Sequence, residues 1–430
     1  MITVKEMLKN HSENEKVSFH MPGHKGCKSV YDVTELSDTD DLLMPESSIK
    51  GLLSRLSISY GESNAYIGTN GSTGLLMATL MNCGKEKKVV LPRCSHQSIY
   101  YGLIQNNHQP VYLEPHINSE GYLCPPKSEG YELQIGKGDV FVFCTPTYEG
   151  FMENYENLKV LLGCEKTILD GAHGSHLHFM GLTWNRWIEF KVFSFHKTLG
   201  GLNQTSVLLT KNRKIEKYLP FYQTTSPSFP HILSVETSLD DLDKCNLEKK
   251  NEAMKNFKDS INQIKGFRVI KTDDISKLLI EYNQYIEGNK LVSYLKQKGI
   301  FYEVEGNHYL LGILTIYDEP WMYEYCLEVF SQVSEIWHLD DSFSKNESSI
   351  HIPKICLLPG EAFYESKILV DLETSIGRIS GEFYTPYPPG IPLLVPGEII
   401  DASIIENILL NKGAFHGNHQ LSEDKIMVIK

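Results

Sequence analysis

The sequence lacks a Cys-x-x-Cys pair, an apolar run near the ~18 residues of a membrane span, and an excess of basic side chains. Its nine cysteines are an odd number, which indicates reduced thiols rather than a disulfide framework. With 41 basic against 54 acidic side chains, the formal net charge of -13 opposes binding to nucleic acid and anionic lipid. The N-terminus has no apolar core, so it does not resemble an export signal. These absences predict a cytoplasmic protein with no membrane or nucleic-acid partner.

The length of 430 residues is enough for two domains, at a typical ~100–200 residues each. The hydrophobic share of 41% and the charged share of 22% are ordinary for a folded chain. We predict an N-terminal segment over residues 1–60, a large domain over residues 61–255 and a smaller C-terminal α/β domain over residues 256–430. The fold class is therefore predicted to be α/β.

Short apolar runs typical of strands alternate with helix-like segments in the large domain. The predicted strands are 88–91, 111–113, 139–143, 167–169, 191–194 and 206–209, and the predicted helices are 72–81, 97–105 and 154–162. Strands this apolar indicate a mostly parallel sheet covered by helices on both faces, and such sheets bind ligands at the carboxyl ends of their strands. In the smaller domain we predict a strand at 267–270, a helix at 290–298 and a strand at 309–316.

The run Ser194-Phe195-His196-Lys197 follows a predicted strand, and Asp170 ends an earlier one. A partly desolvated lysine amine can attack a carbonyl and form an imine. A carboxylate beside a pyridine nitrogen keeps that nitrogen protonated, so that the ring accepts electrons. A lone lysine is usually a solvated surface charge, but the ordered pair of Lys197 and Asp170 predicts a site for pyridoxal phosphate (PLP).

Each of three further motifs has two possible interpretations, and the sequence leaves both open. The glycine-rich run 68–74, with Ser72 and Thr73, precedes a helix and is either a phosphate-binding turn or a plain helix cap. His96 follows a strand and is either an ordinary loop histidine or a ring that stacks on a pyridine. The run 145–150 is either a proline turn or part of the site.

The histidines near Asp170 suggest a metal, because imidazole is a common zinc ligand. The spacing of His173, His176 and His178 matches no zinc motif, so no metal is predicted. Near the C-terminus, the run 377–392 is too rich in proline for regular structure. It is either a rigid connector or a substrate loop, in which Arg378 would bind a carboxylate and Glu382 a cationic end.

These motifs, in this order, resemble those of the bacterial-type Orn/Lys/Arg decarboxylases, which are fold-type-I PLP enzymes. The resemblance covers nearly the whole chain, and four runs carry it: 19–26 (FHMPGHKG), 40–45 (DDLLMP), 194–197 (SFHK) and 387–398, which holds YPPGIP and PGE. It implies a mostly parallel, seven-stranded-type sheet with helices on both faces and a smaller C-terminal α/β domain.

The resemblance also implies a role for individual residues. Lys197 would bond to the cofactor aldehyde, Asp170 would bind the pyridine nitrogen and His96 would stack on the ring. Ala172 would pack beneath the ring, and His173 would lie near the reacting centre. The implied phosphate ligands are Ser72, Thr73, Ser194 and His196.

The chain departs from the family in two respects. Many relatives have an acidic residue where this chain has Gly171, which puts local geometry or activity in question. Larger members begin with a receiver-like domain, whereas this chain starts at the Pro-Gly-His motif. We therefore expect a homodimer or a dimer of dimers, with residues of the N-terminal motif serving the neighbouring subunit.

The predicted activity is decarboxylation of a basic amino acid to agmatine or a diamine, which would feed polyamine metabolism. Arginine is favoured slightly over lysine and ornithine, by analogy with short family members. Either Lys197 or His173 would return a proton to the α-carbon. Two alternatives stay open: an aminotransferase that breaks the α-hydrogen bond, and a catalytically weak homologue with a regulatory role, which Gly171 would favour.

Overall fold

The computed structural model describes residues 2–127, 136, 138–153, 164, 166–306, 308–344, 351–410, 412–415, 417–418, 421 and 423–430. The helices in these ranges are α1 (Val4–Asn14), α2 (Ser48–Ser59), α3 (Gly71–Asn82), α4 (Gln97–Asn106), α5 (Phe195–Thr198), α6 (Phe229–Lys244), α7 (Leu247–Ile261), α8 (Gly288–Gln297), α9 (Pro320–Ile336), α10 (Pro359–Tyr364) and α11 (Ala402–Leu410). The strands are β1 (Asn64–Gly68), β2 (Lys88–Pro92), β3 (Gln109–Leu113), β4 (His116–Ile117), β5 (Leu123–Cys124), β6 (Val140–Cys144), β7 (Lys166–Asp170), β8 (Phe190–Ser194), β9 (Ser206–Thr210), β10 (Phe267–Val269), β11 (Lys277–Tyr282), β12 (Val304–Glu305), β13 (Tyr309–Ile313), β14 (Lys367–Asp371) and β15 (Lys425–Ile429).

The larger sheet has seven strands in the order β1-β9-β8-β7-β6-β2-β3. The five strands from β8 to β3 pair in parallel, whereas β9 is antiparallel to both β8 and β1. All six strands predicted between residues 88 and 209 lie in this sheet, so the mostly parallel arrangement is confirmed. The helix predicted at 154–162 lies outside the described residues.

Both faces of the larger sheet are buried. Side chains alternate along each strand, so Phe141, Phe143 and Leu169 join one hydrophobic cluster while Val142 and Ile168 join the cluster on the opposite face. All five are at most 1% exposed. Burying such a side chain stabilises the fold by roughly 1.5–3 kcal/mol relative to leaving it exposed. This double burial explains why the strands read as continuous apolar runs.

Helices α3 and α4 cover one face and begin at the carboxyl ends of β1 and β2. They pack closely because Gly102 faces Leu80, and a β-carbon on Gly102 would lie 2.3 Å from Leu80 Cδ1. Helix α3 is apolar on most sides, with Leu75, Leu76 and Ala78 buried. The N-termini of both helices therefore open on the edge of the sheet where the parallel strands end.

The second sheet is antiparallel, in the order β10-β11-β13-β12. It contains the predicted strands, but β13 ends at Ile313 rather than residue 316. The chain turns there because the Asp318 carboxylate accepts the N–H of Thr315 at 2.9 Å. The predicted helix at 290–298 is found as α8.

The C-terminal residues form the β14–β15 pair, helices α10 and α11 and an irregular proline-rich loop. Tyr384, Leu394 and Ile404 are fully buried in a cluster of their own. None of the helices in the described ranges has the length and apolar character needed to cross a bilayer.

Candidate active site

A cavity lies where the parallel strands of the larger sheet end. It is lined by Ser72, Cys94, His96, Leu123, Cys144, Pro146, Thr147, Tyr148, Glu149, Asp170, Ala172, His173, Lys197, Pro389 and Ile391. The parallel sheet brings these residues to one edge from distant parts of the sequence, as is typical of ligand sites in α/β folds.

Lys197 is placed by a single helical turn that follows β8. Its Nζ lies 3.0 Å from His173 Nε2. Burial lowers the pKa of Lys197 below its usual range, while the Asp170 and Glu303 carboxylates partly oppose that shift. The amine therefore loses part of its preference for the charged form, which is what a nucleophilic lysine requires.

Asp170 is the last residue of β7, and its Oδ1 accepts the N–H of Ala172 at 3.2 Å. Burial raises the pKa of Asp170, and the positive charge of Lys197 opposes the rise. A buried carboxyl group with a raised pKa can share its proton with a basic nitrogen placed beside it.

The surroundings of position 171 explain why a glycine follows Asp170. A β-carbon at this position would lie 2.6 Å from Phe193 Cε1, so the Phe193 ring fills the space that a side chain would need. That ring stacks on Tyr60 with 5.7 Å between centroids and 11° between planes. The glycine, where many relatives have an acidic residue, thus allows the turn to pack closely against Phe193.

His96 caps helix α4 and forms one wall of the cavity. Its Nδ1 accepts the N–H of Ser98 at 3.2 Å, which leaves the ring hydrogen on Nε2. A β-carbon on Gly390 would lie 2.8 Å from that Nε2, so the proline-rich loop packs directly on the ring. Burial, with a contribution from Lys197, lowers the pKa of His96 to about 4, and the ring is neutral near pH 7.

The first turn of α3 presents hydroxyl groups and backbone amides to the cavity edge. Ser72 Oγ lies 3.0 Å from Ser194 Oγ, which joins the glycine-rich run to the lysine motif. Asn70, at the N-cap, makes no side-chain cap bond, and its Nδ2 donates to the carbonyl of Tyr222 at 3.2 Å instead. The N–H of Gly71 donates to the carbonyl of Gln204 at 2.7 Å, so the N–H groups available to a ligand begin at Ser72, and a helix N-terminus favours an anion.

The structure brings most of the predicted site residues together. Ser72, His96, Asp170, Ala172, His173 and Lys197 line the cavity, and Ser194 reaches it through Ser72. Thr73 and His196 are neighbours of lining residues but are not themselves in the lining. His196 Nδ1 donates to the carbonyl of Thr205 at 2.9 Å.

Arg378 and Glu382 are not brought to this cavity within the described chain. Arg378 Nη2 donates to the carbonyl of Ile429 at 2.9 Å, which ties the loop to β15. Their predicted roles toward substrate stay predictions.

The three histidines near Asp170, for which a metal site was considered and not predicted, face different partners. His176 Nε2 lies 2.9 Å from Asp274 Oδ1, and His178 packs on Tyr60 with 5.1 Å between ring centroids. His173 faces Lys197 instead. These side chains do not converge on a common point.

Sequence reasoning missed a second group of residues around the cavity. Lys277, the first residue of β11, places its Nζ 3.0 Å from His173 Nδ1. The Tyr148 ring stands edge-on to the His173 ring at 4.8 Å, and its hydroxyl donates to Glu303 at 2.6 Å. Burial raises the pKa of Glu149, which also lines the cavity. Only Tyr148 and Glu149 had a signal in the sequence, the run 145–150.

The residues of the cavity fit PLP by the chemistry that they combine. They include an amine with a lowered pKa, a buried carboxyl group, a neutral flat ring, and a helix N-terminus that has no side-chain cap and lies beside the hydroxyl groups of Ser72 and Ser194. These are the groups that an aldehyde, a pyridine nitrogen, an aromatic face and a phosphate require.

Comparisons with known proteins agree with this description. Residues 29–360 match the family model described as Orn/Lys/Arg decarboxylase, major domain, and residues 349–415 match that of its C-terminal domain. Arginine decarboxylase of Bacillus subtilis is 25% identical over 95% of this chain and 93% of its own length.

Two solved structures share the fold. Lysine decarboxylase of Francisella novicida has a TM-score of 0.84 and 18% identity, over 99% of this chain and 81% of that one. A structure of SPT with PLP has a TM-score of 0.51 and 17% identity, over 67% of this chain and 76% of that one. At sequence identities this low, the similarity to these two structures supports a shared fold and nothing further.

Proposed function

This chain belongs to the Orn/Lys/Arg decarboxylase family, and from that premise we propose that it is a PLP-dependent enzyme that decarboxylates arginine to agmatine. The observation that carries the proposal is the meeting of Lys197, Asp170 and His96 in one cavity beside a helix N-terminus that has no side-chain cap. Each of these groups has an ordinary explanation alone, but together they form a site for an aldehyde-bearing pyridine with a phosphate.

The proposed roles follow the geometry of the cavity. Lys197 would bond to the aldehyde carbon, Asp170 would hold the proton of the ring nitrogen, and the neutral ring of His96 would cover one face while Ala172 supports the other. The proposed phosphate ligands are Ser72, Thr73, Ser194 and His196, grouped at the start of α3 and the end of β8. Bound PLP supplies an electron-accepting ring that stabilises the charge left on the α-carbon.

The protein's own residues govern proton positions and access. Burial raises the pKa of Asp170, so its carboxylate binds a proton shared with a neighbouring ring nitrogen more strongly than an exposed carboxylate would. Lys197 is reactive as the neutral amine, which its lowered pKa favours. Pro389 and Ile391 close the cavity with apolar surface, and the exclusion of water strengthens these electrostatic effects.

Arginine is proposed as substrate because the Bacillus subtilis relative, which matches 95% of the chain, is an arginine decarboxylase. Lysine is the second candidate, from the Francisella novicida structure. The carboxyl group of Glu149 lies in the cavity lining and is suited to a cationic group. Glu382 and Arg378 are proposed to contact substrate in a neighbouring subunit, since they do not line the cavity of their own chain.

Several further proposals accompany the activity. We propose a homodimer or a dimer of dimers, a cytoplasmic location, a role in polyamine metabolism and domain boundaries at residues 60 and 255. The exposed Phe19 and Met21 of the N-terminal motif, 94% and 60% exposed, are consistent with a surface that a second copy covers. Size-exclusion chromatography with light scattering gives the mass of the assembly.

Product identification separates decarboxylation from the alternatives. The purified protein with PLP is incubated with arginine, lysine and ornithine separately, and the products are identified by mass spectrometry. Agmatine with an equal amount of carbon dioxide supports the proposal. A keto acid without carbon dioxide identifies an aminotransferase, and no product from any of the three identifies a catalytically weak homologue.

A further inference from the structure

His173 lies between two lysine side chains. Its Nε2 is 3.0 Å from Lys197 Nζ, and its Nδ1 is 3.0 Å from Lys277 Nζ. His173 and Lys277 are 9% and 0% exposed. Burial lowers the pKa of His173 well below its usual range, and both lysines add to this effect, so the ring is neutral. A neutral imidazole has one N–H, and the partner of one nitrogen decides which nitrogen bears it.

Lys277 reaches His173 because Gly150 leaves room for it. A β-carbon on Gly150 would lie 2.5 Å from Lys277 Cγ, and Gly150 has a φ of +100°. The Gly150 carbonyl accepts the N–H groups of Asp273 and Asp274 at 3.1 Å, which fixes this turn against the start of β11. On the other side, Lys258 Nζ donates to the Lys277 carbonyl at 2.6 Å. The stem of Lys277 is therefore held by its packing against Gly150, whereas Lys258 contacts only the main chain of Lys277.

The surroundings of Lys277 favour its charged form against the cost of burial. Its Nζ lies 5.7 Å from the centroid of the Tyr148 ring, within the range of a cation–π contact. Burial lowers the pKa of Lys277 to about 8, and the carboxylates of Asp274, Glu149 and Glu303 oppose the lowering while Lys197 adds to it. At pH 7 Lys277 is thus mainly an ammonium group, which has three hydrogens and no lone pair.

We infer that Lys277 is a positioning residue: its ammonium group donates to His173 Nδ1 and so keeps the imidazole hydrogen on Nε2, which faces Lys197 and the cavity. The inference rests on the proposed decarboxylation for its catalytic meaning, but the contact itself is independent of it. Without Lys277 either ring nitrogen of His173 can bear the hydrogen, and the ring no longer has a single tautomer with Nε2–H toward the cavity.

The same contact balances the protons of the proposed reaction. Loss of carbon dioxide leaves the α-carbon in need of one proton. The Nε2–H bond of His173 breaks as the C–H bond forms, and Nδ1 takes a proton from Lys277. Lys277 becomes a neutral amine, and no imidazolate is left. When Nε2, which faces the cavity, takes up a proton from water, Nδ1 returns its proton to Lys277 and the starting form is restored. Other titratable groups that face His173 are Lys197, His96, His176 and Tyr148.

The direct test reads the His173 ring in the cofactor-free protein. Protein labelled with ¹⁵N-histidine is studied by two-bond ¹H–¹⁵N NMR at pH 7 as wild type, as Lys277→Met and as Lys258→Met, and the His173 signal is identified by its absence in His173→Gln. Lys258→Met is the matched control, since it removes a neighbouring, partly buried amine that contacts Lys277 but not His173.

We expect a single Nε2–H form in the wild type and in Lys258→Met, and a mixture that includes Nδ1–H in Lys277→Met. An Nδ1–H or doubly protonated ring in the wild type overturns the inference, as does an unchanged ring in Lys277→Met. If Lys277→Met does not fold, the wild-type spectrum still decides. Because these spectra need no substrate, failure of the proposed function leaves the test intact.

Steady-state kinetics gives the second readout. A lost or misdirected general acid typically costs ~10²–10⁴-fold in rate. We expect Lys277→Met to lower kcat by at least tenfold, with KM for arginine within about threefold of the wild type, and Lys258→Met to keep kcat. Equal losses of kcat in both variants would identify a purely structural role for Lys277.

Discussion

Arg93 and Glu398 form an ion pair inside the protein, with 2.9 Å between Arg93 Nη2 and Glu398 Oε2. Their side chains are 5% and 1% exposed, and 305 residues separate them in sequence. The same guanidinium donates to the carbonyls of Pro392 and Leu393 at 2.6 and 3.0 Å. This pair ties the C-terminal loop to the end of β2 and places Pro389 and Ile391 at the cavity.

The first prediction concerns that pair. Glu398→Ala leaves the Arg93 charge buried without its partner, which typically costs ~3–5 kcal/mol. We expect the free energy of unfolding, measured by urea titration, to fall by about that amount. Glu287→Ala, which breaks an exposed pair with Lys290 (70% and 66% exposed), is the control and should change it by at most ~0.5 kcal/mol. Similar losses of unfolding free energy in both variants would show that the buried Arg93–Glu398 pair contributes no more to stability than an exposed pair.

The second prediction concerns Gly150. Gly150→Ala adds a methyl group against the stem of Lys277 at a positive φ, so we expect a loss of ~1–3 kcal/mol in stability and a lower kcat. Gly181→Ala has a similar φ of +97° but no atom within 4 Å of the added carbon. This control separates backbone strain from the clash, and we expect it to keep kcat. Equal effects of Gly150→Ala and Gly181→Ala on kcat would refute a role for the close contact between Gly150 and the Lys277 stem.

The third prediction concerns the pH at which Lys197 reacts. Only the neutral amine attacks an aldehyde, so the rate of PLP capture by the cofactor-free protein rises as pH passes through the pKa of Lys197. Because burial lowers that pKa, the midpoint should lie below the ~10.4 of a free lysine. Asp170→Asn removes a carboxylate that raises the pKa, so it should shift the midpoint further down. A midpoint at the free-lysine value, unchanged in Asp170→Asn, would contradict this account.

The fourth prediction concerns Glu382, which does not line the cavity of its own chain. If the proline-rich loop serves a neighbouring subunit, Glu382→Gln should raise KM for arginine roughly tenfold or more, since a hydrogen bond to a charged group contributes ~1.5–3 kcal/mol. The exposed Glu373→Gln is the control and should leave KM unchanged. An unchanged KM in Glu382→Gln removes this residue from the substrate site.

The sequence could predict the strands of the larger sheet because burial on both faces requires continuous apolar runs. It did not predict helix α1, whose residues are mostly polar. That helix has a capping box of Thr3 and Glu6, and the Glu236 carboxylate accepts the N–H groups of Val4 and Lys5 at 2.8 and 2.9 Å. A carboxylate so far along the chain gives no local signal, although the capping box does.

In the candidate site too, contacts between residues distant in sequence could not be predicted. Lys197, Asp170 and His96 could be found because each follows an apolar strand of one sheet, and strand ends meet at one edge. Lys277 could not, because it begins a strand of the other sheet and contacts His173 from 104 positions away. Gly171 also required the structure, because the space for a side chain is filled by the Phe193 ring of the neighbouring strand β8.

The central claim is that Lys197 holds PLP in an enzyme that decarboxylates a basic amino acid. It is tested by the visible absorption spectrum of the purified protein with PLP, measured together with carbon dioxide release from arginine, for the wild type, Lys197→Ala and the exposed control Lys211→Ala. We predict a visible band and carbon dioxide release in the wild type and in Lys211→Ala, and neither in Lys197→Ala. A band and turnover that persist in Lys197→Ala would contradict the account.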